Sequence, residues 1–378
     1  MKIELAVDKI KSVFEIAEKF SGNANIETYM NYVHIKMVQG EKKAIATTSD
    51  GNYSFSSPFE ILDVTSDPGD KNEFLIPIKP FMALIKKMPQ NEFTVIAEPS
   101  SIKVKGKKFK YSLPVKSNMD FGFLACGSIQ NSMKVNSKDL SGAFDRVAFA
   151  ASTKGDKHNL QAIYLKMEKD YTDMVTTDRS RLAYKVFDNK NFIQSDKLTD
   201  VLIPISVVPN IMPLVKNDDG ELEFKIFDNV IQFHFSNGFI VTSRKIDEEY
   251  PDYSRIVQLN MNEHEIIISR KDLANSLDRL AQMADMKVVN FNFTKSQLVL
   301  KIKEADKGEG EEVLEIQNKD KCEKIVSYSA EMVLGALNAI QTDEIVFKIS
   351  DDAKKPLGIK EYNGDNNYIC VIMPVTMT

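Results

Sequence analysis

The stretch FLIPIKPFMALIKKMP, residues 74–89, has a counterpart 127 positions later in VLIPISVVPNIMPLVKN, residues 201–217. Both share Leu-Ile-Pro-Ile (Leu75 to Ile78, Leu202 to Ile205). In each, an apolar run short enough for a strand ends at a proline (Pro77, Pro204), and helically spaced apolar residues follow. A proline fits that junction, because the first turn of a helix has no use for its own N–H. Each copy is then followed by a strand-like stretch, FTVI from Phe93 and FKI from Phe224. A chain that repeats strand, proline, helix, strand at a fixed distance is built from internal copies of one unit.

A second repeat sets the number of units. SKDLSGAFDRVAFAA from Ser137 and RKDLANSLDRLAQMA from Arg270 share Asp139/Asp272, Leu140/Leu273, Asp145/Asp278, Arg146/Arg279 and Ala148/Ala281, at a constant offset of 133. A weaker third copy, VDKIKSVFEIAEKF, starts at Val7 with Ile10 in the leucine slot. Each has helical apolar spacing: Ile10, Val13, Phe14, Ala17; Leu140, Phe144, Val147, Ala151; Leu273, Leu277, Leu280, Ala284. Each follows a strand-like stretch (KIELAV, SMKVN, HEIIIS), and KIVSYSAEMVLGALNAI from Lys324 is the third counterpart of the opening motif without its proline. Alternating stretches such as IQFHF (Ile231) and YICVIMPV (Tyr368) read as antiparallel strands with one buried face. The expectation is an α+β chain of three tandem units, each two helices packed on antiparallel sheets in two β-α-β-β-β halves. The units span 1–128, 129–258 and 259–378, with boundaries near Gly127–Asn131 and Gln258–Asn262.

The bulk numbers narrow the classes. The 378 residues are 43% hydrophobic and 27% charged, ordinary for a globular protein. No apolar run approaches the roughly 20 residues a membrane span needs, and the N-terminal stretch mixes acids and bases into its apolar pattern, unlike a signal peptide. Three widely spaced cysteines (Cys126, Cys322, Cys370) fit a reducing, cytoplasmic setting and argue against a disulfide framework and against a zinc site. The four histidines (His34, His158, His234, His264) lie far in sequence from one another and from the cysteines, and His234 reads as a sheet residue. No nucleotide-binding glycine motif or nucleophile elbow is present; KGEGEE around Gly308 reads as a hairpin loop. Neither an enzymatic activity nor a cofactor or metal is expected.

Net charge is −5, but distribution matters more than the sum. The polar faces of the repeated helices carry Lys9, Lys11, Lys19; Lys79, Lys86, Lys87; Lys138, Arg146, Lys216; and Arg270, Lys271, Arg279, interspersed with acids. Either these are solvated faces with ordinary i,i+4 pairs, or together they make one basic surface on an acidic molecule. KVKGKKFKY (Lys103 to Tyr111) is a single-strand-binding surface or, favoured here, an edge hairpin whose lysines discourage aggregation.

Several segments resemble one family. HNLQAIYLKMEKDYTDMVTTDRSRLAYKV from His158 is similar to the middle domain of the bacterial sliding clamp, the beta subunit of DNA polymerase III. Its Thr177-Asp178-Arg179-Ser180-Arg181-Leu182-Ala183 stands where the family has a TDGHRLA-like motif. EEYPDYSRIV (Glu248 to Val257) resembles the family's FPDY segment between the second and third domains, and VIMPV (Val371 to Val375) its closing VMPM. The resemblance implies a DNA-clamp fold and a head-to-tail dimeric ring of six domains around duplex DNA, held without reading sequence. It also implies a groove where polymerase and clamp loader insert short linear peptides. By position the groove would be lined by Leu160, Thr177, Arg181, Leu182, Pro251, Ile256, Met332, Pro356, Val371, Ile372, Met373, Pro374 and Val375. DNA would be faced by Lys9, Lys86, Lys87, Arg146, Lys154, Lys157, His158, Lys216, Lys271 and Arg279. The dimer seam would place Phe109 and Tyr111 against Met283. The chain departs from the family in the text from Gly22 to Met37, which lacks the arginine-rich turn, in Arg179-Ser180 for Gly-His, and in Val375 for the final methionine. The expected function is a sliding clamp that tethers the replicative polymerase for processive synthesis. The alternative is a clamp-fold adaptor or scaffold that binds partner peptides without encircling DNA.

Overall fold

At both copies of the opening motif the strand stops on the proline. Glu73–Pro77 is a strand and the helix Ile78–Ile85 (α2) begins on the next residue. Thr199–Pro204 is a strand, and one 3-10 turn, Ile205–Val207, leads into the helix Val208–Lys216 (α4). Their third counterpart is the strand Lys324–Ser329 followed by Ala330–Ala339 (α7), where Ser329 caps the helix by accepting from the Met332 amide. The other repeated helices are Val7–Lys19 (α1), Ser137–Val147 (α3) and Arg270–Ala281 (α6). A short helix that the repeat pattern did not suggest, Ser254–Leu259 (α5), lies in the YPDY segment. The computed structural model describes the chain except residues 23–28, 67–70, 89–90, 116–119, 156, 189–191, 195–198, 260–263, 305–307 and 377–378. Residues 23–28 of the departing text and most of the expected Gln258–Asn262 boundary therefore lie outside the described residues.

Every apolar helix position picked from periodicity is buried, from Ile10, Val13, Phe14 and Ala17 to Leu273, Leu277, Leu280 and Ala284. Each such Leu, Ile or Phe contributes about 1.5–3 kcal/mol of transfer free energy, before the cost of ordering it. Phe14 of α1 meets Phe81 of α2 with ring centroids 5.1 Å apart.

The described residues group into two compact units, Met1–Lys138 with Pro209–Lys245, and Asp139–Val208 with Ile246–Thr378. The sequence repeats and the packing units thus divide the middle third differently, because a sheet runs through each junction between repeats. In the first unit, Tyr53–Glu60 pairs antiparallel with Ile240–Arg244 of the middle repeat (Ser54↔Thr242, Ser56↔Ile240). In the second unit, Arg181–Asp188 pairs with Tyr368–Ile372 of the third repeat (Leu182↔Val371, Tyr184↔Ile369). We call these the first and second seams. Each unit also has an open sheet edge of five or more residues, most of them exposed. These edges are Lys110–Pro114 in the first unit and Gly308–Glu315 in the second. KVKGKKFKY is therefore an edge hairpin, as favoured. GEGEE, expected as a loop, is edge strand, paired along its whole length with Gln297–Glu304.

Candidate partner-peptide site and nucleic-acid faces

The second seam begins at a turn that knits itself together. Thr177 Oγ1 accepts from the Arg179 amide (3.0 Å) and donates to the Arg181 carbonyl (2.6 Å). Asp178 Oδ1 accepts from the amides of Ser180 and Arg181 (2.9 Å each), and its Oδ2 from Arg181 Nε (2.9 Å). Threonine and aspartate are suited to this, since their short side chains reach amides two and three residues on. The turn requires a left-handed residue, and Arg179 supplies it at φ +78°, where the resembled motif has glycine. The Met373 amide donates to the Ser180 carbonyl (2.8 Å), tying the end of the last strand to the turn.

From this turn the two seam strands present alternate residues to opposite faces. On one face Leu182, Val371, Ile369, Val175 and Val257 form a small buried cluster, flanked by half-buried Ile256, Tyr164, Tyr184, Tyr250 and Tyr253. On the other face Tyr368, Cys370 and Ile372 join the large core of the third repeat. Ile372, expected in the groove, is instead core, because successive residues of a strand cannot share a face. Met332 of α7 likewise packs against that core rather than the seam cluster. Leu160 and Pro356 are buried, Pro251 and Met373 exposed, Pro374 and Val375 half-buried. Arg181 is held by Asp178 and lies over the Phe149 ring at 5.7 Å. That approach depends on Gly335 of α7: a Cβ there would meet Phe149 at 3.0 Å and Arg181 at 3.4 Å. Phe149 and Gly335 lie in repeated stretches but were not singled out from sequence, because their contact with Arg181 joins residues far apart in the chain.

The strap Tyr250–Val257 covers the seam beside a cavity of about 620 Å³, into which Tyr164, Tyr184, Tyr250, Pro251 and Tyr253 face around Asp173. Asp173 accepts from Tyr184 (2.8 Å) and from Tyr253, and Tyr164 donates to Asp200 (3.0 Å). Burial holds the Tyr164, Tyr184, Tyr250 and Tyr253 phenols far above their ordinary range, with Asp173 adding to the effect on Tyr184 and Tyr253. They stay protonated, and Tyr164, Tyr184 and Tyr253 donate. Tyr164 and Tyr250 stack at 4.6 Å, fixing the strap to the sheet. This aromatic seam, next to Leu182 and Val371, offers apolar anchor positions beside fixed polar groups, which suits a short peptide.

The basic residues divide. Lys154, Lys157 and His158 are exposed on the segment leading into the strand Ala162–Met167, and Lys87, Lys216 and Lys271 are exposed. Lys9 pairs with Glu60 (3.0 Å), Lys86 with Glu18 (3.3 Å) and Arg279 with Glu312 (2.7 Å), so their charge is partly spent at the surface. Arg146 must be removed from the DNA-facing set. Its side chain is 10% exposed, bridges Glu361 (3.0 Å) and Asp365 (3.5 Å), and lies over the Tyr368 ring at 5.2 Å. Arg270 donates to the Thr342 carbonyl (2.7 Å) near the end of α7 instead of projecting outward. At the edges, Tyr111 is exposed beside half-buried Phe109, while Met283 packs directly beneath Gly310 of the acidic edge strand. The histidines are not all apart from the cysteines: His264, Cys322 and Asp351 converge.

Helix-backed repeats, with sheets continuous across both repeat junctions, define a DNA-clamp architecture. Comparison with known proteins gives the same class. Residues 134–252 match the model of the DNA polymerase III beta subunit central domain, and residues 259–376 that of its C-terminal domain. The chain belongs to the DNA polymerase III beta subunit family. It is 23% identical to the beta sliding clamp of Pseudomonas aeruginosa over 318 residues, 83% of this chain and 84% of that one. It is 24% identical to the Rickettsia bellii beta sliding clamp over 324 residues, 81% and 83%. In fold it superposes on the DNA polymerase III beta subunit of P. aeruginosa over 100% of both chains (TM-score 0.89, 18% identity). It does so also on that of Thermotoga maritima, again over 100% of both (TM-score 0.85, 17% identity).

Proposed function

We propose that the protein is a DNA sliding clamp, a non-catalytic tether that closes as a head-to-tail dimer around duplex DNA and carries polymerase through the second seam. The observation that carries ring closure is the pair of open edges. Lys110 starts one, with Lys107 and Lys108 in its hairpin turn and Lys105 paired beside it, and Glu309, Glu311, Glu312 and Glu315 lie along the other. Edge-to-edge pairing of two copies would continue both sheets and remove the exposed strands that otherwise invite aggregation. The acidic edge already bonds Lys301 and Lys303, but exposed pairs of this kind are worth about 0–1 kcal/mol and exchange readily. The exposed bases Lys87, Lys154, Lys157, His158, Lys216 and Lys271 would meet phosphates without reading bases, leaving the ring free to slide.

Light scattering after size exclusion tests closure: the expected mass is twice 42.7 kDa. Lys105→Glu with Lys108→Glu and Lys110→Glu should weaken the dimer roughly 30-fold, about 2 kcal/mol from three reversed rim charges. A monomer at every concentration would overturn it. For the groove, a fluorescent polymerase-derived peptide should bind Arg181→Ala, and a chain lacking its last three residues, more weakly; unchanged affinity in both would remove the assignment. A peptide-binding scaffold that does not encircle DNA is favoured by the buried Arg146 and the pairing of Lys9, Lys86 and Arg279. It would bind the peptide yet remain monomeric.

A further inference from the structure

We propose a zinc site in the third repeat, formed by His264, Cys322 and Asp351, with Asp320 orienting the histidine. The sequence gives no sign of it, because the residues are spread over 264–351; the sheet assembles them. The strand His264–Ser269 pairs with Glu344–Ile349 on one side (His264↔Ile349) and with Gln317–Asn318 on the other (Ile266↔Asn318). The chain leaving each flanking strand therefore passes His264. One donor atom from each of His264, Cys322 and Asp351 lies within 4.8 Å of the others.

The frame around these donors is rigid. Asn318, buried, donates to the carbonyls of Thr294 and Cys322 (2.8 Å each) and accepts from the Cys322 amide (3.1 Å), and Lys321 completes the loop at φ +55°. On the other side Lys324 donates to the Ser350 carbonyl, and Ser350 Oγ accepts from the Asp352 amide (3.2 Å). Cys322 is 9% exposed and Asp351 is open to solvent, so the cluster has an inner wall and an entry path.

The histidine contacts, which a protonated imidazole would satisfy with its two N–H groups, also suit a metal. Nδ1 faces Asp320 (3.2 Å) and Nε2 faces Asp351 (2.9 Å). A neutral imidazole has one N–H and satisfies one of these carboxylates. With a cation on Nε2, the same geometry becomes a familiar one. Nδ1–H donates to Asp320, while Nε2, a carboxylate oxygen of Asp351 and the Cys322 sulfur ligate, leaving one position for water. Mixed sulfur, nitrogen and oxygen donors suit Zn²⁺, whose bonds of about 2.0–2.3 Å place tetrahedral ligands roughly 3.3–3.8 Å apart. The donors need to move by less than about 1.5 Å to reach that spacing. The site would clip two loops to the first strand of the third repeat.

The test is titration of the chelator-treated full chain with Co²⁺ as probe, then competition with Zn²⁺. A sulfur-to-cobalt charge-transfer band saturating at one equivalent, displaced by Zn²⁺, is expected. Cys322→Ser should abolish the band, and Asp351→Asn, at an exposed side chain that the fold does not need, should weaken binding tenfold or more. Cys126→Ser, at the exposed cysteine, should leave it intact. No band in the parent chain, an unchanged band in Cys322→Ser, or Asp351→Asn binding as tightly as the parent would overturn the proposal.

Discussion

The two seams are the same construction with different surfaces. At the first, Ser49 Oγ accepts from the Gly51 amide (3.1 Å) and donates to the Tyr53 carbonyl (3.2 Å), and Asp50 Oδ1 accepts from the amides of Asn52 (2.8 Å) and Tyr53 (2.9 Å). These match the four side-chain-to-backbone bonds of the Thr177–Arg181 turn. The Arg244 amide donates to the Asn52 carbonyl (2.8 Å), as the Met373 amide does to Ser180. The residues on this frame then diverge. Where the second seam pairs Leu182 with Val371, the first pairs Ser54 with Thr242. Where the second ends in exposed Met373, the first has Arg244, whose Nε donates to the Gly51 carbonyl (3.0 Å) and closes over the turn. In the first unit Phe121 packs tilted and Phe123 edge-on against His34, which contacts Glu73; in the second the strap stacks Tyr250 on Tyr164, which donates to Asp200. A repeated scaffold thus carries two different surfaces, by exchanging a few polar side chains for apolar ones, and the apolar copy is the one we propose binds peptides.

The largest expected effect concerns the network behind the second seam. Arg146→Ala would leave Glu361, 6% exposed, without its charge partner, and should lower the stability of the second unit by about 3–5 kcal/mol in chemical denaturation. DNA affinity of the remaining folded protein should be unchanged; a loss of affinity without loss of stability would restore Arg146 to the DNA-facing set. Next, Leu182→Ser with Val371→Thr gives the second seam the side chains of the first. Peptide affinity should fall by at least about 30-fold, roughly 2 kcal/mol, with dimer mass retained. Equal binding would mean that the seam cluster is not the anchor.

A smaller effect separates the two turns. Gly51 holds its φ of +90° without strain, whereas Arg179 at +78° carries about 1–2 kcal/mol. Arg179→Gly should stabilise the chain by about that amount in thermal melts, while Gly51→Ala, whose Cβ would meet Met30 at 3.0 Å, should destabilise it. The smallest effect is in pH. Burial under Phe121 and Phe123 lowers the His34 pKa below 6.5, against the opposing pull of Glu73 and with Lys36 assisting. Its unfolded form then binds the proton more readily, so its contribution is present above pH 6.5 and is lost as pH falls through the depressed value. His34→Gln should flatten the stability profile on the acid side of pH 6.5. The tyrosines of the second seam, with phenols shifted upward, add no slope there.

Much of this was legible from spacing. Leu75–Ile78 and Leu202–Ile205 marked the strand–helix joints, and the periodic apolar positions of α1, α3 and α6 are core. Other features depended on partners remote in sequence. Arg146 and Arg279 are equivalent letters in a repeat, yet Arg146 meets Glu361 and Asp365 and is buried, while Arg279 meets Glu312 at the surface. Val371 to Val375 read as one lining segment, but strand alternation sends Ile372 into the core. His264 and Cys322 look unrelated until cross-strand register brings them side by side. The turn at Ser49–Tyr53, which shows why Arg179 stands where a glycine belongs, was visible as SDGNY but had no counterpart to give it meaning until both seams could be laid together.

The most direct test of a closed ring is topological retention. The protein is mixed with nicked circular duplex DNA near the dimer's dissociation constant, so that rings open and reclose, then filtered by size in enough salt to screen simple phosphate contacts. Comigration with the circle, and release when a single cut makes it linear, is the expected result. Equal retention on circular and linear DNA, or none on either, would contradict encirclement.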